Sequence, residues 1–291
     1  MNSGGGVARR ASAWRSLRMG AWLGWQIESN WAAELWVFVI YAVMKPLALA
    51  GIIVVMYAAI NGGSYSAPVL TYMFLGNAFY IYVGAVTSGM GWAVVQDREN
   101  YRTLKSIYSA PIVVPFYLVG QGIARFFLAS ISVVILMVVG IGLVGIGVSV
   151  RDINWLLFAV SLVLGIGALA SIGLAVAGLM LLTGTASWAL GDLLASALLV
   201  FSGAVFPIDV LPAWLQPIGL ALPVTYWLEL IRRALMSTPY PTATLGAWSS
   251  QSLIAALCVL TAAITVAATA WFRWCEHKAR RQGLLDRTTG Y

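Results

Sequence analysis

The sequence predicts an all-α integral membrane protein with six transmembrane helices. Of its 291 residues, 61% are hydrophobic and only 9% are charged, whereas a soluble globular domain carries roughly 25% charged residues. The apolar residues also gather into six runs, and each run provides the ~20 residues that a membrane helix needs. Lipid is therefore part of the solvent in which this chain folds.

The six apolar runs define the expected domain organisation. They cover residues 36–60, 69–95, 119–150, 154–182, 188–206 and 253–272. Together they predict one transmembrane domain over 36–272, preceded by an N-terminal region, 1–35, and followed by a basic tail, 273–291. The third run is long enough to be tilted or to begin outside the lipid.

The segment before the first span predicts an amphipathic helix that lies in the membrane interface. Trp14, Leu17, Ala21 and Trp25 recur at spacings of three and four residues, which is the period of one helix face. Arginine and other polar residues take the remaining faces. Aromatic residues on one side and basic residues on another are typical of interfacial helices.

The basic residues predict the orientation of the spans. An even number of spans places both termini on one side, and both termini are rich in arginine. The connection between the second and third spans carries Arg98, Arg102 and Lys105, whereas the first connection has no lysine or arginine. Because cytoplasmic loops carry an excess of Lys and Arg, we expect cytoplasmic N- and C-termini. Basic residues placed at membrane ends also argue against nucleic acid as a partner.

The stretch at 203–226 is apolar but contains four of the ten prolines, Pro207, Pro212, Pro217 and Pro223. Proline breaks a helix interior, so this region is divided into pieces too short to span the bilayer. Irregular backbone at membrane depth is tolerated only where protein shields it. The pattern therefore predicts a re-entrant helical hairpin over 207–235.

The residues that carry enzyme chemistry are sparse. His277 is the only histidine, and the two cysteines, Cys258 and Cys275, lack a partner at metal-ligand spacing, so we expect no metal site and no catalytic residues. A phosphate-binding P-loop ends in Gly-Lys-Ser/Thr. Only Lys105 is followed by such a hydroxyl residue, and Leu104 rather than glycine precedes it. The chain is therefore not expected to bind ATP by this route.

The loop at 96–111 resembles the first cytoplasmic loop of ABC-2-type transporter permeases. Arg98-Glu99 match the charged cluster of that family, Thr103-Leu104 match its Thr-Leu pair, and a small residue followed by proline ends the segment at 110–111. Two positions depart from the pattern. Arg102 stands where glycine is usual, and Lys105 stands where glutamate is common. The order of charges, Asp97 and Glu99 before Arg102 and Lys105, predicts a short helix here.

A second and longer resemblance covers the proline-rich stretch. The family carries S-G-x-x-F-P, then L-P-x-W-L, then L-P-x-T-Y and a final E-x-x-R. This chain matches in the same order with Ser202, Gly203, Phe206, Pro207, Leu211, Pro212, Trp214, Leu215, Leu222, Pro223, Thr225, Tyr226, Glu229 and Arg232. With the six-span layout, the resemblance covers nearly the whole chain.

The resemblance implies a permease subunit of an ATP-driven exporter in the plasma membrane, itself not an enzyme. Its partners would be the bilayer, a second permease copy or a homologous permease, and two copies of a separate ABC ATP-binding subunit that binds ATP and Mg²⁺. The loop would be the coupling helix, with Asp97, Arg98, Glu99, Tyr101, Arg102, Thr103, Leu104 and Lys105 facing that subunit. The segment 207–235 would close the outer side, with Gly203, Phe206, Pro207, Pro212, Trp214, Pro223, Tyr226, Glu229 and Arg232 forming the gate. A drug, lipid or glycan would be carried.

Charged and aromatic residues inside the spans are further candidates. The candidates to line the transport path are Lys45, Tyr72, Phe79 and Arg125. Lys45 and Arg125 are charged, and ionisable residues at membrane depth are functional by default. The alternatives are snorkelling of the two cations to an interface and an interfacial belt for the aromatic residues. Asp192, one turn into the fifth run, suits stabilisation of a helix N-terminus.

In the fourth run, Gly167, Ser171, Ala175 and Gly178 share one helix face. Small residues let helices approach closely in lipid, so this face predicts helix packing, either within the chain or between chains.

The sequence leaves two alternative functions. An intramembrane lipid-modifying enzyme would need an acid/base pair or a nucleophile near an interface. The proline-rich segment offers only Asp209 and Glu229, twenty residues apart. A membrane scaffold without transport is the third possibility.

Overall fold

The computed structural model describes residues 12–60, 67–183, 187–236 and 242–284, and all regular secondary structure in these ranges is helical. The loop at 61–66 and the chain ends, on which the predicted orientation partly rests, lie outside the described residues. The α-helices are α1 (Ala13–Ala33), α2 (Leu35–Phe38), α3 (Lys45–Ile60), α4 (Ala67–Val95), α5 (Leu104–Ser109), α6 (Val114–Val139), α7 (Trp155–Leu182), α8 (Ser187–Phe201), α9 (Gln216–Leu220), α10 (Pro223–Leu235) and α11 (Ser250–Arg281).

Three π-helical turns extend these helices. They cover Val39–Met44, Gln96–Asn100 and Gly140–Val144. The first joins α2 to α3 directly before Pro46, whose missing N–H and bulky ring disturb a regular helical ladder. The other two form the ends of α4 and α6.

Within the described residues, five helical stretches are long and apolar enough to cross a membrane. They are Trp36–Ala59, Pro68–Asn100, Val114–Val144, Trp155–Leu182 and Ser250–Arg281. The fifth predicted run forms the shorter α8, which ends at Phe201 rather than at residue 206. Gly203 follows with φ 69°, the left-handed conformation that ends helices. A helix of 15 residues is ~22 Å long, against a hydrocarbon core of ~30 Å, so α8 alone is short for a span.

Helix α4 lies at the centre of the fold, with α6, α7, α8 and α10 packed around it. Close approaches occur where glycine faces a bulky neighbour. A Cβ on Gly91 of α4 would lie 2.8 Å from Val176 of α7, and one on Gly173 of α7 would lie 2.6 Å from the sulfur of Met90. Such small-to-large contacts supply the van der Waals packing that holds helices together in lipid.

The small-residue face of α7 packs against α11, as predicted, and the contact is within the chain. The hydroxyls of Ser171 and Thr265 lie 2.7 Å apart. Trp271 donates its indole N–H to the carbonyl of Ala175 over 3.2 Å. A Cβ on Gly178 would lie 3.2 Å from the Cα of Phe272. The sequence left open whether this face binds another chain, and the structure assigns it to α11.

The predicted amphipathic helix corresponds to α1, and its residues Trp14, Trp22 and Trp25 point away from the protein. Trp14 is 71% exposed, which suits an apolar side chain that contacts lipid. The side that contacts the protein consists of Ser16, Gly20 and Gly24 instead, and it packs on α6. A Cβ on Gly20 would lie 2.0 Å from the carbonyl oxygen of Tyr117, so the two backbones are in direct contact.

Helices α4 and α6 end in the same way, with a π-helical turn followed by a left-handed residue. In α4 that residue is Arg102 (φ 53°), and Thr103 donates its N–H to the carbonyl of Asp97 over 2.8 Å. In α6 it is Gly145 (φ 72°), and the following residue reaches back six positions to Gly140. Glycine favours this conformation because it has no Cβ. The left-handed backbone therefore explains why glycine is usual in the family pattern at the position that Arg102 occupies in this chain.

The left-handed residue also corrects one expectation. The charges at 97–105 do not form one short helix, because Arg102 ends the π-helical turn and α5 begins only at Leu104. The first turn of α5 contains no acidic residue.

Replacing Arg102 with glycine is expected to raise the free energy of unfolding by about 1 kcal/mol, because left-handed backbone costs L-residues roughly 1–2 kcal/mol and the flexible unfolded chain offsets part of the gain. The matched variant Gly145→Ala should lower the free energy of unfolding by about the same amount. Thermal unfolding of the detergent-purified chain measures both effects. A lower melting temperature for Arg102→Gly would contradict the explanation.

Candidate functional site

The predicted coupling loop, 96–111, contains a π-helical turn and α5, which together cover residues 96–109. We call residues 96–109 the coupling segment, and it has a buried root and an exposed tip. Asp97 is 1% exposed and Arg98 is 5% exposed, although both were expected to face a partner. Tyr101, Arg102 and Thr103 are exposed and form the tip, and Asn100, Ser106 and Ser109 are exposed as well. Leu104 is buried, Glu99 is half-buried, and the side chain of Lys105 lies outside the described part. The exposed residues can contact another protein without a rearrangement, whereas Asp97 and Arg98 cannot.

The carboxylate of Asp97 fixes the root of the coupling segment to α6. It accepts hydrogen bonds from the hydroxyl of Tyr117 at 3.0 Å and from the hydroxyl of Thr103 at 3.3 Å. Gln121 donates its amide N–H to the Tyr117 hydroxyl at 2.6 Å. Burial makes such a network strong when its partners are in place. The root of the segment is therefore a structural element, which the sequence pattern did not distinguish from the tip.

Arg98 connects the same root to α7. Its guanidinium pairs with Glu99 at 3.0 Å and donates to the carbonyl of Met180 at 3.3 Å. This carbonyl lies two residues before α7 ends, so the end of α7 is held against the coupling segment.

The end of α11 also reaches the coupling segment. The guanidinium of Arg280 lies 4.7 Å from the ring of Tyr108 and pairs with Glu276 at 2.7 Å. Burial, followed by the Glu276 carboxylate, raises the pKa of Tyr108 above its ordinary value, while Arg280 opposes this shift. The tyrosine therefore remains neutral at physiological pH.

Arg125, a candidate for lining the path, is 8% exposed and pairs with Glu28 of α1 at 3.0 Å. Its guanidinium also donates to the carbonyl of Gly89 and, at 3.2 Å, to the side-chain oxygen of Gln96. The side chain is thus directed into the protein and joins α1, α4 and α6. Snorkelling to a headgroup layer does not describe this geometry.

A cavity of about 640 Å³ lies between the stretch 37–45 and helices α4, α6 and α8, and the end of α1 also borders it. Its volume falls within the range that small-molecule sites occupy. Its walls are mainly apolar, and the polar residues that line it are Glu28, Lys45, Ser88, Arg125, Ser132 and Asp192. The three charged residues singled out within the spans, Lys45, Arg125 and Asp192, are thus brought to one cavity.

The two aromatic candidates for lining the path lie elsewhere. Tyr72 and Phe79 are buried in the core and do not line this cavity. Tyr72 lies beneath Arg232, and Phe79 makes an edge-to-face contact with Phe158, with ring centroids 5.9 Å apart. Because both side chains are buried within the protein, they do not face lipid headgroups as residues of an aromatic belt would.

Arg232 holds the proline-rich region to α4. It is 3% exposed, and its guanidinium lies 3.6 Å from the ring centroid of Tyr72. It donates to the carbonyls of Tyr72, Gly203 and Ala204 at 3.2, 2.7 and 2.9 Å. Glycine at 76 permits this contact, because a Cβ there would lie 1.8 Å from the carbonyl oxygen of Ala204. Gly203 and Arg232, which belong to different motifs in the sequence, therefore form part of one three-dimensional clamp.

The two carboxylates of this region have separate structural partners. Glu229 pairs with Arg233 at 3.1 Å and lies 4.0 Å from Arg232. Asp209 accepts the backbone N–H groups of Ala243 and Thr244 at 2.6 and 3.0 Å. Neither arrangement provides the acid/base pair that a lipid-modifying enzyme would require.

Helix α10 begins beside the middle of α4 and runs antiparallel to it. Near its start, Trp227 lies against Tyr82, with ring centroids 6.3 Å apart, and against Gly165 of α7. Near its end, Arg232 lies against Tyr72, ten residues earlier in α4. At 1.5 Å per residue, this separation corresponds to ~15 Å along α4.

Two aromatic residues of the predicted gate, Trp214 and Tyr226, differ in environment. Trp214 is 76% exposed, whereas Tyr226 is buried. The Tyr226 hydroxyl donates to the carbonyl of Leu220 at 2.9 Å, so it stabilises the turn between α9 and α10 instead of contacting headgroups. Phe206 and Pro207 are half-buried, Pro212 is exposed, and Pro223 begins α10.

Within the described residues, no group of three or more His, Cys, Asp or Glu side chains could hold a metal ion. Cys258 is exposed, Cys275 is buried, and both are free.

Comparison with known proteins places the chain in a family. The family model described as ABC-2 type transporter matches residues 23–236, which is well over half of the chain and includes both the coupling segment and the proline-rich region. A search of curated proteins finds no match. Proteins of this family are transmembrane transporter components, not themselves catalytic, that work with an ATP-binding subunit. The chain therefore belongs to the ABC-2 type transporter family, as its motifs indicated, and is a multi-pass membrane permease subunit of a transporter.

Proposed function

We propose that the chain is the permease of an ATP-driven exporter that moves a drug, lipid or glycan-type substrate out across the plasma membrane. Two copies of a separate ATP-binding subunit would bind ATP and Mg²⁺, and their closure would move the coupling segments. The observation that carries the proposal is the exposed tip of the coupling segment on a rigid root. A tip held by buried hydrogen bonds at Asp97 can transmit force to α4 and α6.

The coupling role is tested by replacing residues 99–104 with a Gly/Ser linker. We expect the ATP-binding subunit to be lost on co-purification, because the exposed tip would no longer have a defined shape. The single change Tyr101→Ala should weaken the complex at least tenfold, since exposed tyrosines are frequent binding hot spots. Trp155→Ala removes an exposed aromatic residue at the start of α7 and serves as the matched control. A linker variant that retains full binding would contradict the coupling role.

We further propose that residues 207–235 form a re-entrant outer gate and that both termini are cytoplasmic. The start of α10 beside the middle of α4 supports this arrangement. Ala213 is exposed, so in a background with Cys258→Ser and Cys275→Ala, the variant Ala213→Cys should be labelled by an impermeant maleimide in intact cells. Ser109→Cys in the exposed part of α5 should be labelled only after permeabilisation. The reverse pattern would overturn the topology.

A second permease copy would complete the transport path. Only 11% of the most apolar 18-residue stretch of the span Trp36–Ala59 is buried within one chain, and the start of this span borders the cavity that contains Lys45. Apposition of this span with that of a second or homologous permease would enclose the cavity. The mixed apolar and charged lining suits an amphipathic substrate of the drug, lipid or glycan class.

A further inference from the structure

The cavity and the coupling segment are connected through one side chain. Glu28 and Arg125 both line the cavity, and their charged groups lie 3.0 Å apart. The same guanidinium donates to the side-chain oxygen of Gln96 at 3.2 Å and to the carbonyl of Gly89. Gln96 is the first residue of the coupling segment, so Arg125 contacts both regions at once.

The connection continues to the start of α5. Asp97 follows Gln96 directly, and its carboxylate accepts the hydroxyl of Thr103, the residue before α5 begins. Asp97 also accepts the hydroxyl of Tyr117 of α6. Hydrogen bonds and one peptide link thus lead from the cavity wall to the first turn of α5.

The residues that form this hydrogen-bonded connection are almost fully enclosed by protein. Gln96, Asp97 and Arg125 are each less than 10% exposed, and Glu28 is partly exposed at the cavity. In such surroundings a guanidinium cannot lose its partners one at a time without a large penalty. It also presents several donors in a rigid planar fork. The arrangement therefore favours a concerted change over a gradual one.

We propose that Arg125 is a positioning residue that couples the state of the cavity to the position of the coupling segment. The inference rests on the proposed function, since it assumes that an ATP-binding subunit moves that segment. Movement of the segment shifts Gln96 and with it the guanidinium, which alters the Glu28 side of the cavity. Because coupling between two sites is reciprocal, occupancy of the cavity also biases the segment.

The test measures nucleotide-dependent access to the cavity in the complete complex of permease and ATP-binding subunit. Ala85 lines the cavity and is half-buried, so Ala85→Cys, with Cys258→Ser and Cys275→Ala, provides a reporter thiol. Its rate of reaction with N-ethylmaleimide is compared without nucleotide and with ATP plus vanadate. We expect the two rates to differ by at least about fivefold, the lower end of typical coupling between sites.

Three variants interrupt the connection at different points. Glu28→Gln removes the ion pair, Gln96→Leu removes the acceptor in the coupling segment, and Arg125→Lys keeps the charge but not the fork. Each should reduce the rate ratio to less than about twofold while the complex still co-purifies. A merely structural role would lower the melting temperature without removing the nucleotide dependence. Ser171→Ala removes the hydroxyl contact with Thr265 between α7 and α11, away from both the cavity and the coupling segment, and should leave the ratio unchanged.

The outcomes separate the inference from the proposed function. An undiminished ratio in Glu28→Gln and Gln96→Leu would overturn the role of Arg125 and leave the exporter proposal intact. Equal rates in both nucleotide states of the unsubstituted complex would also overturn the role, because the cavity would then not respond. Loss of assembly in all three variants would show that Arg125 is needed for folding, and this result would also overturn its coupling role. Failure of the unsubstituted permease to bind any ATP-binding subunit would contradict the proposed function instead.

Discussion

Replacing Arg232 with alanine is expected to lower the free energy of unfolding by about 3–5 kcal/mol, the penalty for leaving a buried charged network without one partner. The guanidinium satisfies the carbonyls of Tyr72, Gly203 and Ala204 and stacks on the ring of Tyr72. Removal leaves those carbonyls without this donor and creates a cavity beside α4. Denaturation by SDS titration, or thermal unfolding in detergent, measures the loss.

Two further variants show whether the planar fork matters. Arg232→Lys retains the charge but cannot reach several carbonyls in one plane, so it should recover less than half of the lost stability. Arg281→Ala removes an exposed arginine at the end of α11 and should change the stability by less than about 0.5 kcal/mol. If Arg232→Lys matches the unsubstituted protein, charge alone explains the contact and the fork does not.

Replacing Gly120 with alanine should separate α1 from α6 and lower the free energy of unfolding by about 3 kcal/mol, the upper end of the usual cost of overpacking. A Cβ at Gly120 would lie 2.2 Å from the carbonyl oxygen of Leu17 and 2.6 Å from the amide nitrogen of Ala21. Backbone atoms cannot rotate away as a flexible side chain can, so the whole helix would have to move. Hydrogen exchange of the α1 amides should therefore increase together with the loss of stability.

Gly84→Ala is the matched control for this change. Gly84 also lies within a membrane helix, but a Cβ there would have no neighbour within 4 Å. The substitution should be neutral or stabilising, because alanine is the better helix former. Unchanged exchange in α1 after Gly120→Ala would show that the close approach of the two helices is not needed to hold α1.

Composition and periodicity were sufficient for the coarse architecture. Long apolar runs specify helices in lipid, because every backbone polar group must be satisfied within the segment, and five of the six predicted runs form long apolar helices. The face from Gly167 to Gly178 was identified as a packing face for the same kind of local reason. The motifs at Gly203–Arg232 indicated the family that the family model then confirmed.

The same reasoning could not distinguish the buried structural root of the charged loop from its exposed tip. Asp97 and Glu99 carry the same charge and lie two residues apart, yet Asp97 is buried against Tyr117 while Glu99 is half-buried. Burial depends on where α6 returns relative to the end of α4, which local sequence does not encode. The departure at Arg102 was a usable signal, since a position where glycine is usual often requires left-handed backbone.

Sequence alone determined that this chain resides in a membrane, that its helices lie roughly at the predicted positions, and that it carries the family's motifs, because these properties follow from composition, length and local order. Tertiary structure alone decided that Arg125 joins Glu28 to Gln96. It also decided that Arg232 donates hydrogen bonds to residues that are between 28 and 160 positions away in the sequence. Such contacts depend on which helix faces meet. A single arginine in an apolar run looks the same whether it reaches toward lipid headgroups or toward a buried carboxylate. Its partners distinguish the two, and they come together only when the helices pack.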